Sequence, residues 1–213
     1  MRQLLICLSL ITVLTGCQSA YYSAMEKVGY HKREIMVDRV EDAQTAQKRA
    51  QKEFQSAYQQ LKKLTNYHGG DLEEMYDHIH SEYEKSSDAV ENVQSRRAAI
   101  EDVADALFRE WHQELSEYTD QTLRQKSEIQ LKATRKSYRT MLTAMKRAER
   151  KMVPVLNTLR DNTLYLKHNL NASAITSLKS EFSDLQDDIQ RAINQMNIAI
   201  DESDKFIKEI DPK

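Results

Sequence analysis

His78 and His80, spaced as H-x-H, are the first residues whose types suggest chemistry, because paired imidazoles are common metal ligands. On a helix, however, two steps turn side chains to different faces, whereas Glu74, His78 and Glu82 share one. A metal there would need a further ligand from another helix, so the pattern reads as a histidine solvated among acidic residues, and no metal or cofactor is expected. Asp187-Asp188 is a carboxylate pair on a charged stretch, with nothing around it to form a pocket. The chain has no His-Glu-x-x-His, no phosphate-cradling glycine loop and no Gly-x-Ser-x-Gly. The expectation is that the protein is not an enzyme and has no catalytic residues.

The amino end offers a different chemistry. Arg2 precedes an apolar run of 11 residues, Leu4 to Leu14, and Leu14-Thr15-Gly16-Cys17 follows. A run that short cannot span a bilayer, which takes about 20 helical residues, but it has the length of a signal-peptide apolar region. Leu, a small residue, Gly and Cys in that order are similar to the bacterial lipobox, in which cleavage precedes a cysteine whose thiol is lipidated. On that reading residues 1–16 are a lipoprotein signal peptide that removes Cys7, and Cys17 is the lipidation site. Residues 17–32 are then the lipidated anchor and amino-terminal segment. Gln18 after the cysteine, where Asp would signal retention, implies the periplasmic face of the outer membrane of a Gram-negative cell.

The remaining chain must be the part that positions any partner. Of 213 residues 40% are hydrophobic and 30% charged, the net charge is −2, and there are only 4 Gly and 2 Pro. Those values argue against a disulfide scaffold, an integral membrane protein and a strongly basic nucleic-acid binder. From Asp71 to Lys213 there is no glycine, which permits long helices.

Apolar residues recur in alternating steps of four and three through four segments. The first seam runs Met36, Val40, Ala43, Gln47, Ala50, Phe54, Ala57, Leu61, Leu64. The second runs from Leu72 to Tyr118 through Ile79, Val90, Val93, Ile100, Ala104, Leu107 and Trp111, with Ser86, Arg97 and Glu114 as polar exceptions. Leu131 to Leu166 carries the third, including Met141, Met145 and Met152, and Ile175 to Ile210 the fourth. The spacing predicts helices over about 33–65, 71–118, 120–169 and 172–210, with Asp71 and Asp120 as N-caps.

A repeat of 3.5 residues makes helices wind about one another with left-handed twist, and short joints make successive helices antiparallel neighbours. The fold expected for residues 33–211 is therefore all-α: a long, antiparallel up-down-up-down four-helix bundle, coiled-coil-like in its packing. Lys and Arg against Asp and Glu give the predicted helices net charges of +2, −10, +8 and −5, so each lies beside neighbours of opposite sign. Residues 20–32 are expected to pack along an overhang of the second helix. Arg97 and Glu114 on an apolar seam are candidates for fixing register or partner choice. Lys132 to Arg139 and Lys146, Arg147, Arg150 and Lys151 form basic clusters suited to anionic lipid headgroups. Nucleic acid is not expected, given acidic neighbours and a periplasmic address.

The stretches VGYHKREIMVDRVEDA (28–43), LTNYHGGDLEEMYD (64–77), VADALFREW (103–111) and VLNTLRDNTLYLKHNLNA (155–172) resemble a family of helical proteins of Gram-negative bacteria known as domain of unknown function 2959, DUF2959. The resemblance spans essentially the whole chain after the signal peptide and implies a helical build, with no catalytic residue to carry over. Together these readings lead to an expectation of a non-enzymatic outer-membrane lipoprotein acting as an envelope scaffold or interaction adaptor, touching the membrane through its lipid and binding an envelope protein or itself. The alternative is a helical bundle that perturbs or remodels membranes, which would require its amphipathic seams to be released.

Overall fold

The structure, a computed structural model, describes residues 22, 25, 31–65, 72–169, 178 and 181–211. Within them lie four helices, α1 (Lys32–Thr65), α2 (Leu72–Glu114), α3 (Gln121–His168) and α4 (Glu181–Ile210). At 1.5 Å per residue these are about 50, 65, 70 and 45 Å long. Cys7, Cys17, Gln18 and Asp71 lie outside the described residues.

Each helix packs on two others: α1 on α2, α2 on α3, α3 on α4, and α4 back on α1. Direction follows from the side-chain pairs. Lys32 meets Glu110 and Asp42 meets Arg96, so α1 and α2 run oppositely. Gln44 donates to Asp204, Gln51 to Asn197 and Tyr58 to Gln186, which reverses α4 against α1. Trp111 beside Ser127 and Arg97 beside Glu149 do the same for α2 and α3. The result is an all-α, antiparallel, up-down-up-down four-helix bundle.

The core is the set of seams. Every described residue of the first seam from Met36 to Leu61 is buried, Gln47 included. The same holds from Leu131 to Leu166 on α3, apart from half-buried Tyr138, and from Leu185 to Ile210 on α4. Ile100, Met141, Met145, Met152, Phe54 and Phe206 are among the largest fully enclosed side chains, each stabilising the bundle by about 1.5–3 kcal/mol relative to exposure. Burial on α2 is wider than one seam, since Ala89, Val103 and Phe108 are enclosed as well. A helix facing two neighbours needs such a broad apolar stripe.

Three local features bear on the sequence expectation. First, α2 ends at Glu114 and not near Tyr118. Leu115 is buried, and Ser116 and Glu117 bond back to Gln113 and Glu114 in tightened turns, leaving Glu114 and Tyr118 exposed. Second, of the segment 20–32 expected along an overhang of α2 only Tyr22, Met25, His31 and Lys32 are described, and Met25 borders a surface hollow with Ile35, Asp38 and Arg39 of α1. Tyr22 is buried in the core. Third, Asp42–Arg96 and Arg97–Glu149 run against the net signs of their helices. Charge alternation therefore describes the field around the bundle more than its individual pairs.

Helix ends follow ordinary capping chemistry. Asp120 accepts from the backbone of Thr122 and Leu123 at 2.7 and 3.2 Å, closing the start of α3 as its position predicts. Trp111 Nε1 donates to Ser127 Oγ at 2.8 Å, fastening the end of α2 to the first turns of α3.

Candidate interaction surface

The α2–α3 interface holds a charged cluster built around Arg97. Its Nε donates to Glu149 at 2.7 Å, and its terminal nitrogen pairs with Glu101 one turn along α2. Lys146 of α3 reaches Glu101 at 2.5 Å, so four charges link the two helices. Burial pushes the Glu149 carboxyl above its ordinary value despite the attraction of Arg97. Tyr138 packs edge-on against Phe108 at 5.4 Å between ring centres, and burial followed by the charges of Glu101 and Asp105 pushes its phenol upward. Arg97 was visible in the sequence as a seam exception. Its partners were not singled out, although the α2–α3 register would have placed Glu149 opposite it.

A second polar layer lies nearer the far end. Glu82 is buried beside Ser86 and takes a 2.7 Å bond from Lys85. Burial favours its neutral form, but the bonds from Lys85 and Ser56 and the charges of Lys85 and His78 outweigh burial and hold the carboxyl below its ordinary value. Asn162 is buried on the α3 seam, at about this level of the rod by the register that pairs Arg97 with Glu149. Asn162 Nδ2 has no hydrogen-bond partner among the described residues.

The Glu74–His78–Glu82 face does not converge on a site. His78 stands 3.7 Å from Glu74, both largely exposed, while Glu82 turns inward. His80 stacks between Tyr76 and Tyr83 along the helix. Among the described residues no group of three His, Cys, Asp or Glu side chains is placed to hold a metal. Asp188 pairs with Arg191 on the outside of α4. Glu114, the other seam exception, is exposed at the end of α2.

The basic clusters are divided by the fold. Lys132 pairs with Glu128, Lys146 is drawn into the Arg97 cluster, and Arg135 donates to the Phe108 carbonyl while lying over its ring. Lys136, Arg139, Arg147, Arg150 and Lys151 are exposed on α3, and none forms an ion pair with a described residue. Lys136, Arg139 and Arg147 border an open hollow of about 460 Å³ with Thr140, Thr143, Ile198 and Glu202, the last paired with Lys205 on α4. This is the largest concentration of unneutralised charge of one sign that the sequence clusters yield.

Fold and surface together define a helical-bundle protein with a filled core, polar bridges between helices and one basic outer face. The chain belongs to the DUF2959 family, described as a protein of unknown function, which matches residues 21–210. No curated protein and no solved structure matches it.

Proposed function

We propose that this chain is a non-enzymatic lipoprotein of the Gram-negative envelope, attached through Cys17 to the periplasmic face of the outer membrane and acting as a scaffold or adaptor for an envelope protein or for a second copy. The observation that carries the reading is Leu14-Thr15-Gly16-Cys17 closing the apolar run of Leu4 to Leu14. The bundle is consistent with it. Its seam residues are mostly buried in the core, and no described helix is long and apolar enough to cross a membrane, so attachment through a lipid at Cys17 would leave the bundle intact.

The test is incorporation of a clickable fatty acid in cells, with Cys17→Ser as the control, followed by separation of inner and outer membranes. Label in the outer-membrane fraction that disappears in Cys17→Ser supports the proposal. An unlabelled or cytoplasmic protein overturns it. Photo-crosslinking from exposed positions on all four helices then identifies the partner, and adducts lost in Cys17→Ser mark those that need the anchor.

A further inference from the structure

We infer that the outer face of α3 is a docking surface for an anionic phospholipid bilayer, so that the bundle lies along the membrane with α3 beneath it. The face is built from Lys136, Arg139, Arg147, Arg150 and Lys151, exposed over four turns and unpaired with any described acidic group. Between and beside these cations stand Thr140, Thr143 and the exposed side chains of Ile129 and Ile198, 68% and 44% accessible; α3 has no carboxylate between Ile129 and Lys146, and Glu202 of α4, which borders the same hollow, is engaged by Lys205. Cations interleaved with isolated apolar side chains suit a headgroup layer, where the charge meets phosphate and the aliphatic group enters the acyl boundary. An acidic protein surface would use the cations but would leave Ile129 and Ile198 without a counterpart.

Charge elsewhere orients the molecule. The two helices flanking α3 are acidic, with Glu91, Asp102 and Asp105 exposed on α2 and Asp184, Asp187 and Asp201 on α4. A negatively charged surface repels those sides and attracts the edge between them. Position supports the same orientation. Lys32 pairs with Glu110, and the α2–α3 register places Glu110 near the level of Lys136, so the basic face begins near the level of the amino end of α1, into which the chain from residue 17 leads. The 15 residues from Cys17 to His31 reach at most about 50 Å, which keeps this face within reach of the surface. The inference deepens the lipoprotein reading but rests on the α3 face itself.

The experiment places the full-length lipidated protein in phosphatidylcholine vesicles with and without 30% phosphatidylglycerol, with a quencher attached to the headgroups. One fluorophore is attached at Thr140→Cys on α3 and, in a separate sample, at Gln55→Cys on the diagonally opposite α1. The expected result is strong quenching at position 140 only in anionic vesicles, weak quenching at 55, and release of the 140 signal by 0.5 M salt. Each cation contributes about fivefold to partitioning at such a surface, so Lys136→Glu with Arg147→Glu lowers the docked fraction by at least 25-fold without detaching the protein. Equal signals at 140 and 55 in vesicle-bound protein overturn the inference and leave the anchor intact. Energy transfer between copies that rises with protein density, in place of quenching at 140, also overturns it and assigns the face to a second copy. Failure to stay on neutral vesicles in high salt removes the anchor reading; quenching at 140 in anionic vesicles would still support the α3 face.

Discussion

Arg97 of α2 and Glu149 of α3 meet at 2.7 Å across the helix interface with side chains only 21% and 13% exposed, yet the Glu149 carboxyl is raised and not lowered. Removal from water therefore outweighs the attraction of the guanidinium. Such a pair is expensive to break but contributes little as a unit. The expected outcome is a loss of about 3 kcal/mol for Arg97→Met, which leaves Glu149 with no counterion from α2, and a near-neutral or stabilising effect for Arg97→Met with Glu149→Leu. Urea unfolding of the four proteins of this cycle measures both. If the double variant is as unstable as the single one, the pair contributes net stability and the argument from desolvation is wrong.

The same carboxyl predicts a pH dependence. Unfolded, Glu149 titrates near its ordinary 4.5; folded, it does so higher. Between those values the folded state binds more protons, so stability falls as pH rises through the window above 4.5. Glu82 acts in the opposite sense: its lowered value gives stability that is present above 4.5 and lost as pH falls through the folded value. Glu149→Gln is thus expected to flatten the decline above pH 4.5, while Glu82→Gln flattens the acid limb below it. Denaturation midpoints from pH 3 to 7 separate the two, and an unchanged slope in either variant refutes its assignment.

Helix number, direction and core were legible because each seam repeats for many heptads, and Met141, Met145 and Met152 could satisfy that period only by facing inward. The stop of α2 was not legible. Tyr118 fits the period, but the buried Leu115 lies off it and draws the chain into a turn. The basic face was read as two clusters without a way to divide them, since Lys146 and Lys136 look alike in sequence. Only the packing of α3 on α2 sends Lys146 to Glu101 and leaves Lys136 outside. The proposal for Cys17 rests on the local order Leu14-Thr15-Gly16-Cys17 and is independent of how the bundle packs.

Asn162 offers a test of the cost of core polarity. It is 4% exposed, and its Nδ2 has no hydrogen-bond partner among the described residues. Leucine has nearly the same shape. Asn162→Leu is expected to raise stability by about 1 kcal/mol, because a buried unmade bond is removed together with the group that lacked it. Thermal melting of the unliganded bundle checks the sign. A destabilised variant would mean that Asn162 is served by a water or has a specificity role that a leucine cannot supply.

Pro154 lies inside α3, and the helix passes through it to His168. The pyrrolidine ring lacks the N–H that would bond the Arg150 carbonyl and crowds that same carbonyl, a combination costing about 3 kcal/mol in a helix interior. The position is exposed, between the buried Met152 and Val155, so solvent can serve the orphaned carbonyl and the seam holds both sides of the break together. Replacing it with alanine restores the backbone bond and loses no buried contact. The unfolded chain gains freedom when proline is removed, which takes back about 0.4–1 kcal/mol. The net expectation for Pro154→Ala is therefore about 2 kcal/mol more stability, a rise of roughly 4–8 °C in Tm for a chain of this size. Differential scanning calorimetry decides it. A fall in Tm would show that Pro154 is needed to keep Met152 and Val155 in register with α4, and that its loss costs more packing than the recovered bond supplies.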